Sequence, residues 1–130
     1  MVERALLLRI YFDPREAVEA GSLLEELAEL ARTLEIEVAE SVLVRSREIH
    51  KKLLCGIGKA AELAELARAH ECDVIIIDND LAPSQQREWE KLADLTVIDR
   101  EEVILDIFAK RAKTKAVSYT HLTLPTKRIV

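Results

Sequence analysis

Strand-like and helix-like segments alternate along this chain, and the alternation constrains its fold more than any single motif does. The clearest strand is the apolar, β-branched segment between Asp73 and Asp78. The segment Ala5–Phe12 is almost continuously apolar, which is typical of a strand buried on both faces. The alternation predicts an α/β fold: a mostly parallel four-stranded sheet with helices on both faces, in the order β-α-β-α-β-α-β-α.

The other elements follow from periodicity and from helix-start signals. Aliphatic residues alternate with other residues over Ile36–Arg45, which predicts the second strand. The short apolar segment Leu95–Asp99 predicts the fourth strand. Ser22 with Glu25 three residues later has the spacing of a capping box and predicts the start of the first helix. The other helices are predicted to begin at Gly56–Lys59, at Pro83 and at Glu101–Glu102.

Length and composition indicate one ordinary domain. The chain has 130 residues, of which 49% are hydrophobic and 33% charged, as in a folded soluble protein. No apolar run approaches the roughly 20 residues that a membrane-spanning helix needs, and the first residues lack the pattern of a signal peptide. Cys55 and Cys72 have no spacing typical of a disulfide framework or a metal site. We therefore expect a cytoplasmic protein with no membrane span.

Charge is distributed unevenly. Through Asp106 the chain has 13 basic and 24 acidic residues, and beyond Asp106 it has six basic residues and no acidic one. A second basic stretch comprises Arg45, Arg47, Lys51, Lys52 and Lys59. An acidic body with basic edges can dock on a polyanion through those edges. The alternative is an ordinary solvated surface on which basic residues cluster by chance.

The segment Gly56–Lys59 only partly resembles a phosphate-binding loop. A P-loop has four residues between its glycines and a Ser or Thr after the lysine, whereas here one residue separates the glycines and Ala60 follows. A dinucleotide-binding fingerprint fails as well, because Ala61 occupies the third glycine position. Two interpretations stay open: a phosphate contact at the helix N-terminus, or a plain turn and helix cap.

Aspartates at the strand ends raise the question of catalysis or metal binding. The four candidates are Asp78, Asp80, Asp99 and Asp106. Aspartates in such positions commonly form loops and cap helices, and the three histidines are scattered along the sequence. We therefore predict no catalytic residue and no metal site, and we expect the cysteines and Trp89 to be buried.

Four segments occur in order and at close spacing: Gly56–Leu63, Asp78–Arg87, Val97–Arg100 and Ile104–Ala112. Through them the chain resembles, over residues 4–115, the N-terminal domain of the HflX family of ribosome-associated GTPases. The residues that carry the family motif are Asp80, Pro83, Ser84, Gln85, Gln86, Arg87, Asp99, Arg100 and Asp106.

The resemblance implies a larger parent protein made of this domain, a long helical hairpin and a GTP-binding domain. Such a protein binds the large ribosomal subunit and hydrolyses GTP with magnesium, and its N-terminal part approaches ribosomal RNA. The chain lacks the nucleotide-binding motifs GxxxxGK[ST], DxxG and NKxD. We therefore expect the chain as given to be no enzyme and to hold no cofactor. GTP and Mg²⁺ are expected to bind elsewhere in the parent. The candidate phosphate or RNA contacts are Arg45, Arg47, Lys51, Lys52, Gly56, Gly58, Lys59, Lys110, Arg111 and Lys113.

Residues 116–130 differ from the rest of the chain. They have no helical period and resemble the translated adapter tails found at the ends of metagenomic gene predictions. We therefore predict a domain over residues 1–115 followed by a non-native tail, in a gene model truncated at its C-terminus. Two alternatives to a docking domain stay open: a stand-alone RNA- or protein-binding α/β module, and a small nucleotide-binding α/β enzyme.

Overall fold

The computed structural model describes residues 3–115, and side chains as far as residue 111. The predicted alternation is present throughout this part, and the predicted tail lies outside it. In chain order the elements are β1 (Arg4–Tyr11), a 3-10 turn (Pro14–Glu16), α1 (Ala17–Thr33), β2 (Glu37–Arg45), α2 (Ile57–Ala69), β3 (Val74–Ile77), α3 (Pro83–Ala93), β4 (Thr96–Asp99) and α4 (Arg100–Lys115).

The four strands form one sheet in the order β2-β1-β3-β4, and every neighbouring pair is parallel. The register places Leu6 of β1 beside Ile75 of β3, and Ile75 beside Val97 of β4. Since β2 lies on one side of β1 and β3 on the other, the chain reverses its direction of travel across the sheet at the junction of β1 and β3. The predicted α/β fold is confirmed, with a sheet that is entirely parallel.

Two hydrophobic cores cover the two faces of the sheet. Leu6, Leu8 and Ile10 of β1 pack on the side of α2 and α3, whereas Ala5 and Leu7 pack on the side of α1 and α4. This division follows from the alternation of side chains along a strand, and it explains why β1 and β3 are apolar at successive positions. Trp89, Cys55 and Cys72 are buried as predicted, and burial raises the pKa of both cysteine thiols.

The predicted start of the first helix is wrong. Helical structure follows Asp13 directly, through the 3-10 turn and into α1 at Ala17, so that Ser22 is an exposed residue inside the helix. The side chain of Asp13 accepts a hydrogen bond from the backbone N–H of Arg15 at 2.9 Å, with Pro14 in the first turn. Asp13–Pro14 therefore both ends β1 and begins the helical segment, because a capping aspartate followed by proline is itself a helix-start signal.

Candidate nucleic-acid interface

Partner-facing segments of a parallel α/β sheet usually lie beyond the carboxyl ends of its strands. Here three segments meet at that carboxyl edge: the loop after β2, the segment Asp78–Ala82 after β3, and the junction Asp99–Arg100 after β4. The candidate residues that belong to these segments, or to the strand ends that lead into them, are Arg45, Arg47, Lys51, Lys52, Gly56, Asp80, Asp99 and Arg100. The carboxyl edge is therefore the candidate site.

The basic loop, which we define as residues 45–56, carries the exposed cations of this edge. Arg45, Arg47, Lys51 and Lys52 are all exposed, and none of the four has an ion-pair partner among residues 3–115. Lys59 follows in the first turn of α2, where its Nζ lies 3.1 Å from Oε1 of Glu62. The predicted cluster is therefore a loop with four unpaired positive charges, beside a fifth charge that is locally neutralised.

Backbone hydrogen bonds give the basic loop a defined shape. The N–H of Ser46 donates to the carbonyl of Tyr11 at 2.9 Å, which fixes the start of the loop to the end of β1. At the tip, His50 and Leu54 exchange two backbone hydrogen bonds. Leu54 has a φ of 69°, in the left-handed region. Leu53 and Cys55 are buried, so the loop is anchored in the core on both sides of Leu54.

Helix α3 adds two side-chain contacts to the same loop. The Nε1–H of Trp89 donates to the carbonyl of Leu53 at 3.0 Å, and Nε2 of Gln85 donates to the carbonyl of Lys51 at 3.1 Å. Ile49 of the loop is 70% exposed, and the adjacent Ile57 at the start of α2 is 71% exposed, so this basic surface carries apolar side chains at two points. These contacts were not predicted, because they join residues more than thirty positions apart.

The glycines of Gly56–Lys59 form an ordinary helix start. Gly56 is the N-cap of α2 with a φ of −64°, and the first helical hydrogen bond runs from the N–H of Ala60 to its carbonyl. A Cβ at Gly58 would have no heavy atom within 4 Å, and neither glycine has a positive φ. The geometry favours the turn-and-cap interpretation, and these residues do not wrap a phosphate as a P-loop does.

Several motif residues of α3 have structural partners. Oε1 of Gln85 accepts a hydrogen bond from the N–H of Ala82 at the start of the helix. Farther along, Nε2 of Gln86 donates to the carbonyl of Val97 at 2.6 Å, and Oε2 of Glu90 accepts from the Val97 N–H at 3.2 Å. Val97 lies in the outer strand β4, so these two side chains satisfy backbone groups that an edge strand would otherwise expose.

The remaining motif residues divide into capping and exposed positions. Asp99 accepts from the N–H of Glu102 at 3.0 Å and from the N–H of Leu81 at 3.2 Å, so it caps α4 and ties the loop after β3 to β4. This role agrees with the prediction for strand-end aspartates. Other motif positions that are exposed on the surface are Asp80, Pro83, Ser84 and Arg87, while Asp106 is half-buried in α4.

Asp78 has a different role from the loop or cap position that was expected. Its side chain is fully buried, with Oδ1 2.9 Å from Nη1 of Arg100 and Oδ2 3.3 Å from Nη1 of Arg9. Arg100 also bonds Glu26 of α1, and Nη1 of Arg9 donates to the Asp78 carbonyl at 2.6 Å. Burial raises the pKa of the Asp78 carboxyl, although both arginines oppose that shift.

The sequence contained a signal for this buried cluster. Arg9 interrupts an otherwise apolar strand, and a charged residue in a strand covered on both faces needs a buried counter-charge. The neighbouring Asn79 acts similarly on the backbone: its side chain accepts from the N–H of Ile10 at 2.9 Å and donates to the Ile10 carbonyl at 2.8 Å. Asp78 and Asn79 therefore hold the ends of β1 and β3 together.

The second basic segment lies far from the basic loop. Helix α4 begins at the carboxyl edge and runs back along the sheet, so Lys110 is about 15 Å along the helix from Arg100. Arg111 is exposed beside it, and Lys113 follows in the last turn. The structure therefore does not bring the two predicted basic segments together.

Neither a metal-binding cluster nor a membrane-spanning helix is found within residues 3–115. No group of three or more His, Cys, Asp and Glu side chains in this range is arranged to hold a metal ion. No helix in the same range is long and apolar enough to cross a membrane.

A family model described as GTP-binding GTPase N-terminal matches residues 21–109. The chain belongs to this family. Among its curated relatives, the GTPase HflX of Akkermansia muciniphila is 56% identical over 115 residues, covering 88% of this chain and 26% of the relative. The GTPase HflX of Escherichia coli K12 is 38% identical over 112 residues, covering 86% of this chain and 26% of the relative. The resemblance to HflX N-terminal domains is confirmed, and the chain spans about a quarter of the length of these relatives.

Solved structures agree with the fold of this GTPase N-terminal domain. A crystal structure of a variant of SsGBP matches with a TM-score of 0.58 at 18% identity, covering 87% of this chain and 36% of that one. The C-terminal catalytic domain of the IS607-like serine recombinase ISC1926 TnpA matches with a TM-score of 0.52 at 12% identity, covering 97% and 92%. At these identities the matches show a shared fold.

Proposed function

We propose that this chain is the ribosome-docking domain of an HflX-type GTP-binding protein, and that it contacts RNA of the large ribosomal subunit through the basic loop. The relatives named GTPase HflX support the GTP-binding parent, of which this domain corresponds to about a quarter. The parent acts in the cytoplasm, where ribosomes are found.

The observation that carries the proposal is the unpaired charge of the basic loop. Arg45, Arg47, Lys51 and Lys52 are exposed without ion-pair partners in the described part of the chain, at the edge of the sheet where partners usually bind. The protein as a whole has a formal charge of −5, so most of its surface is repelled by RNA. A phosphate backbone is therefore attracted to one edge of the domain.

GTP hydrolysis with Mg²⁺ belongs to the rest of the parent protein. Gly56–Lys59 form the cap and first turn of α2, and Lys59 lies beside Glu62. This domain therefore contributes binding and orientation to the parent, and we assign the nucleotide and the metal to its GTPase domain, joined through the helical hairpin. Lys110, Arg111 and Lys113 form a separate candidate contact at the opposite edge.

Co-sedimentation with purified large ribosomal subunits tests this proposal. For the unsubstituted chain, binding should weaken steeply between about 50 and 200 mM salt. The double variant Lys51→Glu/Lys52→Glu should bind at least about tenfold more weakly. The slope of its log affinity against log salt concentration should be smaller by the contribution of about two phosphate contacts. The charge-matched comparison is Lys110→Glu/Arg111→Glu at the opposite edge, which measures what that separate candidate contact contributes and should weaken binding less than the loop variant does.

The outcomes separate the competing functions. Binding that is indifferent to salt, or that is weakened equally by the two double variants, contradicts docking through the basic loop. Equal affinity for ribosomal subunits and for an unrelated single-stranded RNA supports the stand-alone RNA-binding module instead.

A further inference from the structure

Helix α3 contacts the basic loop on both sides of Lys52. Gln85 binds the carbonyl of Lys51, and Trp89 binds the carbonyl of Leu53. We propose that Gln85 and Trp89 are positioning residues that hold the tip of the basic loop, so that Lys51 and Lys52 meet an RNA phosphate backbone in one fixed arrangement. This inference rests on the proposed function and assigns a role to the motif residue Gln85 and to Trp89, which the function itself leaves unexplained.

The two contacts come from a helix that is itself fixed at several points. The indole of Trp89 is fully buried, so its N–H has one direction in which to donate. The side-chain amide of Gln85 accepts from Ala82 while it donates to Lys51, which joins the start of α3 to the loop. On the other side of the helix, Gln86 and Glu90 bind Val97 of β4. Gln86 and Glu90 therefore bind the outer strand, whereas the hydrogen bonds to the loop come from Gln85 and Trp89.

Fixing the tip matters because the backbone of a mobile loop loses conformational freedom when its lysines bind RNA. A loop that is already ordered avoids that loss, so its affinity rises without any additional contact. The expected signature is specific. Loosening the tip should weaken binding while leaving the salt dependence unchanged, because the number of phosphates contacted stays the same.

Substitution of adjacent glutamines provides a matched test. The Gln85→Glu side chain keeps an oxygen that can accept the hydrogen bond from the N–H of Ala82, but it has no N–H to donate to the carbonyl of Lys51. Gln86→Glu loses the N–H that donates to the carbonyl of Val97, which lies outside the loop. Both variants add one negative charge to the same helix. We expect Gln85→Glu to bind large ribosomal subunits about fivefold to tenfold more weakly than Gln86→Glu, with equal salt dependence.

A neutral variant and a second measurement exclude a simple charge effect. Trp89→Phe retains an aromatic ring in the core and removes only the donor to Leu53. Hydrogen exchange of the Leu54 amide, which donates to His50 at 2.8 Å, reports order at the tip in the chain without RNA. We expect exchange at Leu54 to become at least about tenfold faster in Gln85→Glu and in Trp89→Phe, and to stay unchanged in Gln86→Glu.

Each outcome bears on one proposal. Equal binding by Gln85→Glu and Gln86→Glu, or unchanged Leu54 exchange in Gln85→Glu, overturns the positioning role. If the unsubstituted chain binds no ribosomal subunits, the proposed function fails, whereas the exchange experiment still decides whether α3 orders the loop. Should Trp89→Phe fail to fold, the comparison at the half-buried Gln85 decides the question alone.

Discussion

Two groups of charged residues lie at the carboxyl edge of the sheet, and they are organised in opposite ways. The ion-pair cluster around the buried Asp78 comprises Arg9, Arg100 and the exposed Glu26, alternates in sign and has a formal charge of zero. The basic loop carries Arg45, Arg47, Lys51 and Lys52, which are exposed and have no ion-pair partner in residues 3–115. The first group joins β1, β3, α1 and α4, whereas the second is available to a partner.

This difference shows how a single edge can serve both stability and binding. A charge removed from water must be matched within the protein, so the buried Asp78 depends on its two partly buried arginines. An exposed charge remains hydrated and contributes little to stability, but it attracts a polyanion over a distance of about 10 Å. The two groups should therefore respond in opposite ways to mutation.

The largest expected effect is at Asp78. Replacement by alanine leaves Arg9 and Arg100 without the carboxylate that both contact, so we expect Asp78→Ala to lower the free energy of unfolding by about 3–5 kcal/mol. Urea denaturation measures the change, with Asp80→Ala at an exposed neighbouring position as the control, expected within about 0.5 kcal/mol. A loss below about 1 kcal/mol for Asp78→Ala would mean that the cluster is not a structural unit.

A smaller effect concerns pH and the same carboxyl. Because burial raises the pKa of Asp78 above its ordinary value of 3.8, the folded state holds this proton more tightly than the unfolded state does. The part of the stability that comes from holding this proton is therefore fully present below pH 3.8 and is lost as pH rises through the folded-state pKa. Asp78→Asn cannot titrate, so unfolding of the two proteins measured from acid to neutral pH should show the unsubstituted chain losing stability relative to the variant. The opposite slope would show that the two arginines outweigh burial.

The fold could be predicted from the sequence because its signals are local. Apolar strands alternate with helices, and Gly56 and Pro83 mark helix starts that the structure confirms. The predicted start of α1 at Ser22 is wrong because Asp13–Pro14, which follow the apolar segment Ala5–Phe12 directly, end the strand and begin a helical segment at once.

The candidate site depends on contacts that are distant in sequence. The basic residues of the loop are visible in the sequence, but Arg9, Asp78 and Arg100 belong to three separate segments. Likewise, nothing local connects Gln85 or Trp89 to the carbonyls of the loop. Periodicity identifies which residues are buried, whereas the partner of a buried polar group depends on how the strands are ordered in the sheet.

The smallest expected effect on stability is in the basic loop, and it sharpens the comparison with Asp78. Lys51→Glu/Lys52→Glu changes exposed side chains, while the contacts of this segment with α3 are made by backbone carbonyls. We therefore expect its free energy of unfolding to stay within about 0.5 kcal/mol of the unsubstituted chain, although the same variant should lose its affinity for ribosomal subunits. Parallel urea denaturation and co-sedimentation of one preparation measure both quantities. Destabilisation by more than about 1 kcal/mol would show that the lysines hold the loop together, and the separation of stability from binding would then fail.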